Sequence, residues 1–137
     1  IQIYLGETFG VEKGLYPAPG PKRGEALKWL IWGNVTLGEA VSRWQNHTSE
    51  RVPEAQRHAP TGAKARQDLD ALIGIFERGL GDKPYVVGES ASLVDFHLAS
   101  LFQWLTYCAV DLAPFPKTAA WLARCSARPA NLKLMGG

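Results

Sequence analysis

The stretch Ser92-Leu93-Val94-Asp95-Phe96, just after Tyr85-Val86-Val87-Gly88, constrains this chain more than any other. Ser92 can cap a helix by accepting a hydrogen bond from a first-turn backbone N–H. Asp95, three residues on, can reach back to the Ser92 N–H as a capping box, with Asp in place of the commoner Glu. Its charge also suits the positive end of the helix dipole. Phe96, Leu98, Leu101, Phe102, Trp104 and Leu105 follow. A helix that apolar belongs inside a core. The spacing therefore predicts a central helix over 92–108 with a fixed start.

Other helices assemble around it. Residues 1–20 read as the tail of a helix and a loop, punctuated by Gly6, Gly10, Pro17, Pro19, Gly20 and Pro21. A long helix is expected over 22–44, where Leu27, Leu30, Ile31, Asn34, Leu37, Gly38, Val41 and Trp44 recur at three- and four-residue steps. Trp29, Trp32 and Val35 lie off that stripe, so this helix has a second apolar face. Residues 45–62 read as a polar loop. A helix over 63–78 follows, with Gly79 and Gly81 as stop signals. A last helix is expected over 116–128, ended by Pro129. No alternating strand pattern of useful length and no repeat is present. The fold class is all-α, a bundle of four to six helices.

Composition excludes several functions. At 137 residues and 46% hydrophobic, the chain can bury one packed core and is not expected to be disordered. Its net charge is only +2 and the basic residues are scattered, so no nucleic-acid footprint exists. No apolar run is long enough to span a bilayer, and no signal peptide is recognisable. Cys108 and Cys125 belong to no C-x-x-C pair and read as two buried, reduced thiols of a cytoplasmic protein. The opening Ile1-Gln2-Ile3-Tyr4-Leu5 is already inside an element, as expected of a piece of something longer.

Four motifs in order resemble the C-terminal helical domain of cytosolic glutathione transferases of bacterial type. Ile3-Tyr4-Leu5 with Leu15-Tyr16-Pro17 is similar to the family's last thioredoxin-domain helix and linker. Lys28-Trp29-Leu30-Ile31-Trp32 with Leu37-Gly38 resembles its first long helix. Tyr85-Val86-Val87-Gly88 with Ser92-Leu93-Val94-Asp95 resembles its folding motif, and Trp121 with Arg128-Pro129-Ala130 its ending. The resemblance implies that residues 1–20 end an N-terminal thioredoxin-like domain and that 21–137 form the helical domain. It implies that the missing domain binds glutathione, the co-substrate, and holds the activating group. The helical domain would wall the pocket for a hydrophobic electrophile and form most of a homodimer interface. Detoxifying conjugation proceeds by attack of the glutathione thiolate, whose pKa must be lowered. No catalytic residue is expected in these 137 residues, and the fragment alone is expected to be inactive.

Candidate substrate-binding residues are Val35, Gly38, Glu39, Ser42, Trp104 and Tyr107. The first four share one helix face by spacing, and the resemblance turns that face to the cleft. Gly38 would admit close approach of a ligand or, equally, of another helix, and Glu39 reads equally as a solvated charge. One bacterial branch has a histidine and a lysine where Gly38 and Glu39 stand. Tyr107 can point a hydroxyl into a cleft, while Trp104 also reads as core. Trp29 and Trp32 suit core, pocket wall or dimer contact. Gly88, Ser92 and Asp95 form the structural folding motif. His97 reads as a hydrogen-bonded structural residue. His47 and His58 lack companions at metal spacing, so no metal is expected. Two other functions share this helical pattern: a non-catalytic protein-interaction module, and a glutathione-dependent disulfide reductase.

Overall fold

The computed structural model describes the backbone of residues 1–136 and the side chains of residues 1–133. Helix α1 (Gln2–Leu5) runs into a π-helical turn, Gly6–Gly10. A continuous long helix follows, made of α2 (Pro21–Ile31), a π-helical segment (Trp32–Leu37) and α3 (Gly38–Thr48). After a 3₁₀ turn (Glu54–Gln56) come α4 (Ala59–Leu80), α5 (Leu93–Tyr107), α6 (Pro116–Ser126) and α7 (Pro129–Gly136). No strand occurs among the described residues, only a single bridge between Tyr85 and Gly88. The chain is an all-α bundle, as its periodicity requires.

Several boundaries differ from the sequence reading, among them the end of α4, which runs through Gly79 to Leu80 before Gly81 stops it. The long helix continues to Thr48 and α4 begins at Ala59, so the polar loop is shorter than 45–62. Pro60 does not delay α4, because the first helical turn needs no amide donor from it. Pro129 likewise starts α7 after α6 has ended at Ser126.

Helix α5 is the central element. Val94, Leu98, Phe102 and Leu105 are fully buried in it. Asp95 is buried with them. Its Oδ2 accepts the Ser92 amide and hydroxyl, each at 2.8 Å. Its Oδ1 accepts the Val86 amide at 2.8 Å and Trp121 Nε1 at 2.9 Å. The Leu93 amide donates to Leu15 O at 2.8 Å, tying the segment before α2 to the start of α5. Gly88, at φ +151°, closes the turn that delivers Val86 to Asp95, a conformation that suits glycine alone.

Phe76 of α4 forms the aromatic centre. Its ring lies 4.8 Å from Trp121, 4.9 Å from Phe102 and 5.4 Å from Trp29. Trp29 therefore belongs to the core, and partly buried Trp32 stacks on the same ring at 5.9 Å. The expected stripe is displaced: Ile31 and Asn34 are exposed, while Ala26, Trp29, Leu30, Gly33, Leu37 and Ala40 are buried. Helix crossings select that face. A Cβ on Gly79 would collide with the Trp29 ring, and one on Gly33 would lie 2.5 Å from Leu98 Cδ2. These two glycines let α4 and α5 approach the long helix so closely, and Gly62 of α4 does the same against Thr48 at its end.

Candidate functional site

Trp104 and Tyr107 sit one turn apart near the end of α5. Their rings stack, with centroids 5.3 Å apart and planes at 23°. A buried aromatic pair would be unremarkable, but these side chains are 40% and 74% exposed. They form one wall of a cavity of about 500 Å³. The end of α3 supplies the opposite wall through Trp44, Gln45 and Thr48, and Arg51 and Val52 close one side. Trp104 is thus a wall residue and not core. The volume lies within the range of small-molecule sites, about 300–1,000 Å³. Aromatic faces interleaved with the polar Gln45, Asn46, Thr48, Ser49 and Arg51 suit an aromatic ligand that also carries polar groups.

Cys108 lines the same cavity, where Gln45 Nε2 donates to its Sγ at 3.1 Å. It is half-buried, unlike the fully covered thiol the sequence suggested. Cys125 is buried, and desolvation together with the nearby Asp95 charge pushes its pKa up to about 12. It is a neutral thiol with no nucleophilic character at ordinary pH.

The other sequence candidates lie elsewhere along the long helix. Val35 is 65% exposed and lines a shallow depression with Ile31, Asn34, His97 and Ile1. A Cβ on Gly38 would meet only the Gly33 carbonyl, at 3.4 Å, so no other helix packs there. Glu39 pairs with Arg43 at 3.2 Å, and Arg43 reaches Asp68 of α4 at 3.2 Å. Ser42 is exposed. Gly38, Glu39 and Ser42 line neither cavity. The six candidates are therefore spread along one side of the long helix and the end of α5, and only Trp104 and Tyr107 share a cavity. Sequence reasoning missed Trp44, Gln45 and Arg51. Gln45 and Arg51 fell in the stretch taken for a polar loop, which offers no periodic signal.

His97 joins α5 to the long helix. Asn34 Nδ2 donates to the Leu30 carbonyl and to His97 Nε2, both at 2.8 Å. Because Nε2 accepts, the neutral ring carries its proton on Nδ1. Burial lowers the His97 pKa below its ordinary 6.5. His58 donates its amide to His47 Nδ1 at 3.2 Å, and no cluster of potential metal ligands occurs among the described residues.

A family model described as "Glutathione S-transferase, C-terminal domain" matches residues 39–129. The chain belongs to the glutathione S-transferase family. Glutathione S-transferase F14 of Arabidopsis thaliana is 37% identical over 143 residues, covering 97% of this chain and 55% of its own length. Glutathione S-transferase GstB of Escherichia coli strain K12 is 26% identical over 132 residues, covering 96% of this chain and 62% of its own length. A solved structure described as a ternary complex of BphK, a bacterial GST, superposes with a TM-score of 0.80 at 26% identity, covering 96% of this chain and 62% of that one. This chain thus spans less than two thirds of each of these transferases. Among its described residues, no helix is long and apolar enough to cross a membrane.

Proposed function

We propose that this chain is the helical half of a glutathione transferase that conjugates glutathione to apolar electrophiles. Residues 1–20 would be the end of a thioredoxin-like domain and the linker after it. Residues 21–137 would be the helical domain. The stacked Trp104–Tyr107 pair over an open cavity carries this reading. Such a wall binds and orients a flat or apolar electrophile and excludes water from one side of it. Trp44 and the methylenes of Gln45 and Arg51 would complete the apolar contact. Gly38 leaves an open strip on the long helix, and Val35 and Ser42 would border it.

Glutathione would be held mainly by the absent domain. That domain would also lower the thiol pKa, since thiolate is the nucleophile. Neutral, buried Cys125 is unsuited to activating it. The intact protein is proposed to be a cytoplasmic homodimer, with the long helix and α4 forming most of the interface.

Full-length protein should be retained on immobilised glutathione and conjugate 1-chloro-2,4-dinitrobenzene. Trp104→Ala and Tyr107→Ala should raise KM for the electrophile several-fold and leave KM for glutathione unchanged. Residues 1–137 alone should not turn over. Retention without conjugation, but with reduction of a glutathione mixed disulfide, would replace this reading with a disulfide reductase. Failure of both retention and turnover would favour a non-catalytic interaction module.

A further inference from the structure

The long helix and α5 run parallel and in register. Asn34 Nδ2 donates to His97 Nε2 at 2.8 Å and Gln45 Nε2 to Cys108 Sγ at 3.1 Å, and both pairs are 63 positions apart in the chain. The stretches 34–45 and 97–108 between these bridges each span roughly 16 Å at about 1.5 Å per residue. Steps of four, three and four residues place Gly38 and Val41 between the bridges on the long helix, and Leu101 and Trp104 on α5. Val41 and Leu101 are partly buried against the core and give this strip an apolar floor. A Cβ on Gly38 would meet only the Gly33 carbonyl of its own helix, so no side chain of α5 fills the space above it.

A cavity opens at each end of the strip. The Trp104–Tyr107 cavity offers an aromatic face. At the other end lies the depression of about 400 Å³ that Asn34 and His97 line, flanked by the exposed Ile31 and Val35. No charged side chain lines it. Both Asn34 N–H groups are spent, on the Leu30 carbonyl and on His97, so Oδ1 remains as an acceptor. His97 accepts through Nε2 and so keeps an Nδ1–H donor. A hydroxyl matches this pair, because it donates and accepts at once.

We propose, resting on the conjugating function above, that the strip selects elongated two-ring electrophiles with a hydroxyl on the far ring. One ring would stack on Trp104 and Tyr107, and the linking atoms would cross Gly38. The far hydroxyl would donate to Asn34 Oδ1 and accept from His97 Nδ1. Gly38 is the specificity-determining position, since any side chain there stands in the path. With an enone, the thiolate sulfur bonds to the β-carbon. The C=C electron pair then shifts towards the carbonyl oxygen, and the enolate takes a proton from water.

The test compares 4-hydroxychalcone, chalcone and the single-ring benzylideneacetone, three enones that react alike, on full-length protein. KM should rise about threefold or more from 4-hydroxychalcone to chalcone, and about tenfold or more again to benzylideneacetone. Gly38→Leu should shrink the advantage of both chalcones over benzylideneacetone to about threefold or less. Asn34→Ala and His97→Phe should each erase the difference between 4-hydroxychalcone and chalcone. Calorimetry with 4-hydroxydihydrochalcone, whose saturated bridge cannot react, should show binding that Gly38→Leu weakens about tenfold or more. Turnover of all three enones with no two-ring preference, or a preference that survives Gly38→Leu, overturns the inference and leaves the conjugating function standing. No turnover at all, with dihydrochalcone binding still lost in Gly38→Leu, overturns the conjugating function and leaves the strip as a binding site. Dihydrochalcone that does not bind overturns the inference as well. Should Gly38→Leu not fold, the enone series and Asn34→Ala, at an exposed position, decide alone.

Discussion

Trp121 Nε1 donates to Asp95 Oδ1 across 2.9 Å, joining the first turn of α5 to the middle of α6 in a fully buried setting. This bond changes what Asp95 is worth. An exposed capping residue contributes about 1 kcal/mol. Here one carboxylate takes four hydrogen bonds from Ser92, Val86 and Trp121. Removing it strands buried donors from three segments at once.

Asp95→Ala should therefore lower stability by about 3–5 kcal/mol, well beyond the loss of a cap. Trp121→Phe, which removes one donor and part of a ring, should cost less. Urea denaturation followed by circular dichroism measures both. A loss near 1 kcal/mol for Asp95→Ala would place its role in the cap alone.

Two glycines of the long helix should respond in opposite ways. Gly33→Ala drives a methyl into Leu98 and should cost about 1–3 kcal/mol. Gly38→Ala meets only ordinary contact with the Gly33 carbonyl and should leave stability unchanged or raise it by up to about 1 kcal/mol. Thermal melts of the two variants should fall on either side of wild type. Destabilisation by Gly38→Ala would mean that the crossing extends further along α3 than its open face indicates.

Acid should weaken the fold in two windows. Burial lowers the His97 pKa below 6.5, so the unfolded chain binds the proton more readily. Stability is then lost as pH falls from about 6.5 towards the lowered value. Protonated Nε2 also ceases to accept from Asn34. Glu77 contributes lower down. Burial opposes its ionisation, but the Thr118 hydroxyl and the Lys117 and Thr118 amides donate to its carboxylate. These bonds win and hold its pKa below 4.5, so its stabilisation exists above that pH and disappears as pH falls through the lowered value. His97→Gln should flatten the upper window only and Glu77→Gln the lower only, read from denaturant midpoints across pH.

The two cysteines should be distinguishable by thiol titration. In native protein, Ellman's reagent should modify Cys108 and spare Cys125, whose pKa is pushed up to about 12 inside the core. Cys108→Ser should abolish the native reaction, and denaturant should expose the second thiol. Fast native labelling of Cys108→Ser would show that α6 opens readily.

Helix type, order and the start of α5 were legible in the chain because they depend on local chemistry. Ser92 and Asp95 are three residues apart, and a capping pair needs nothing beyond that spacing. The apolar run from Phe96 to Leu105 likewise announces a buried helix. Periodicity gave the long helix but not the face it buries. Leu27, Ile31 and Asn34 satisfied the expected stripe, whereas Trp29, which is buried, lay off it.

That choice was tertiary: Gly79 and Gly33 remove the side chains that would hold α4 and α5 away, and Trp29 fills the opening. The same holds for the fourfold use of Asp95, since Trp121 lies 26 positions along the chain. It holds for the cavity under Trp104 and Tyr107, whose far wall comes from the end of α3. Local spacing fixes a residue's neighbours within a turn. Only packing decides which distant surfaces those neighbours meet, because burial energy depends on the area removed from water and not on position in the chain.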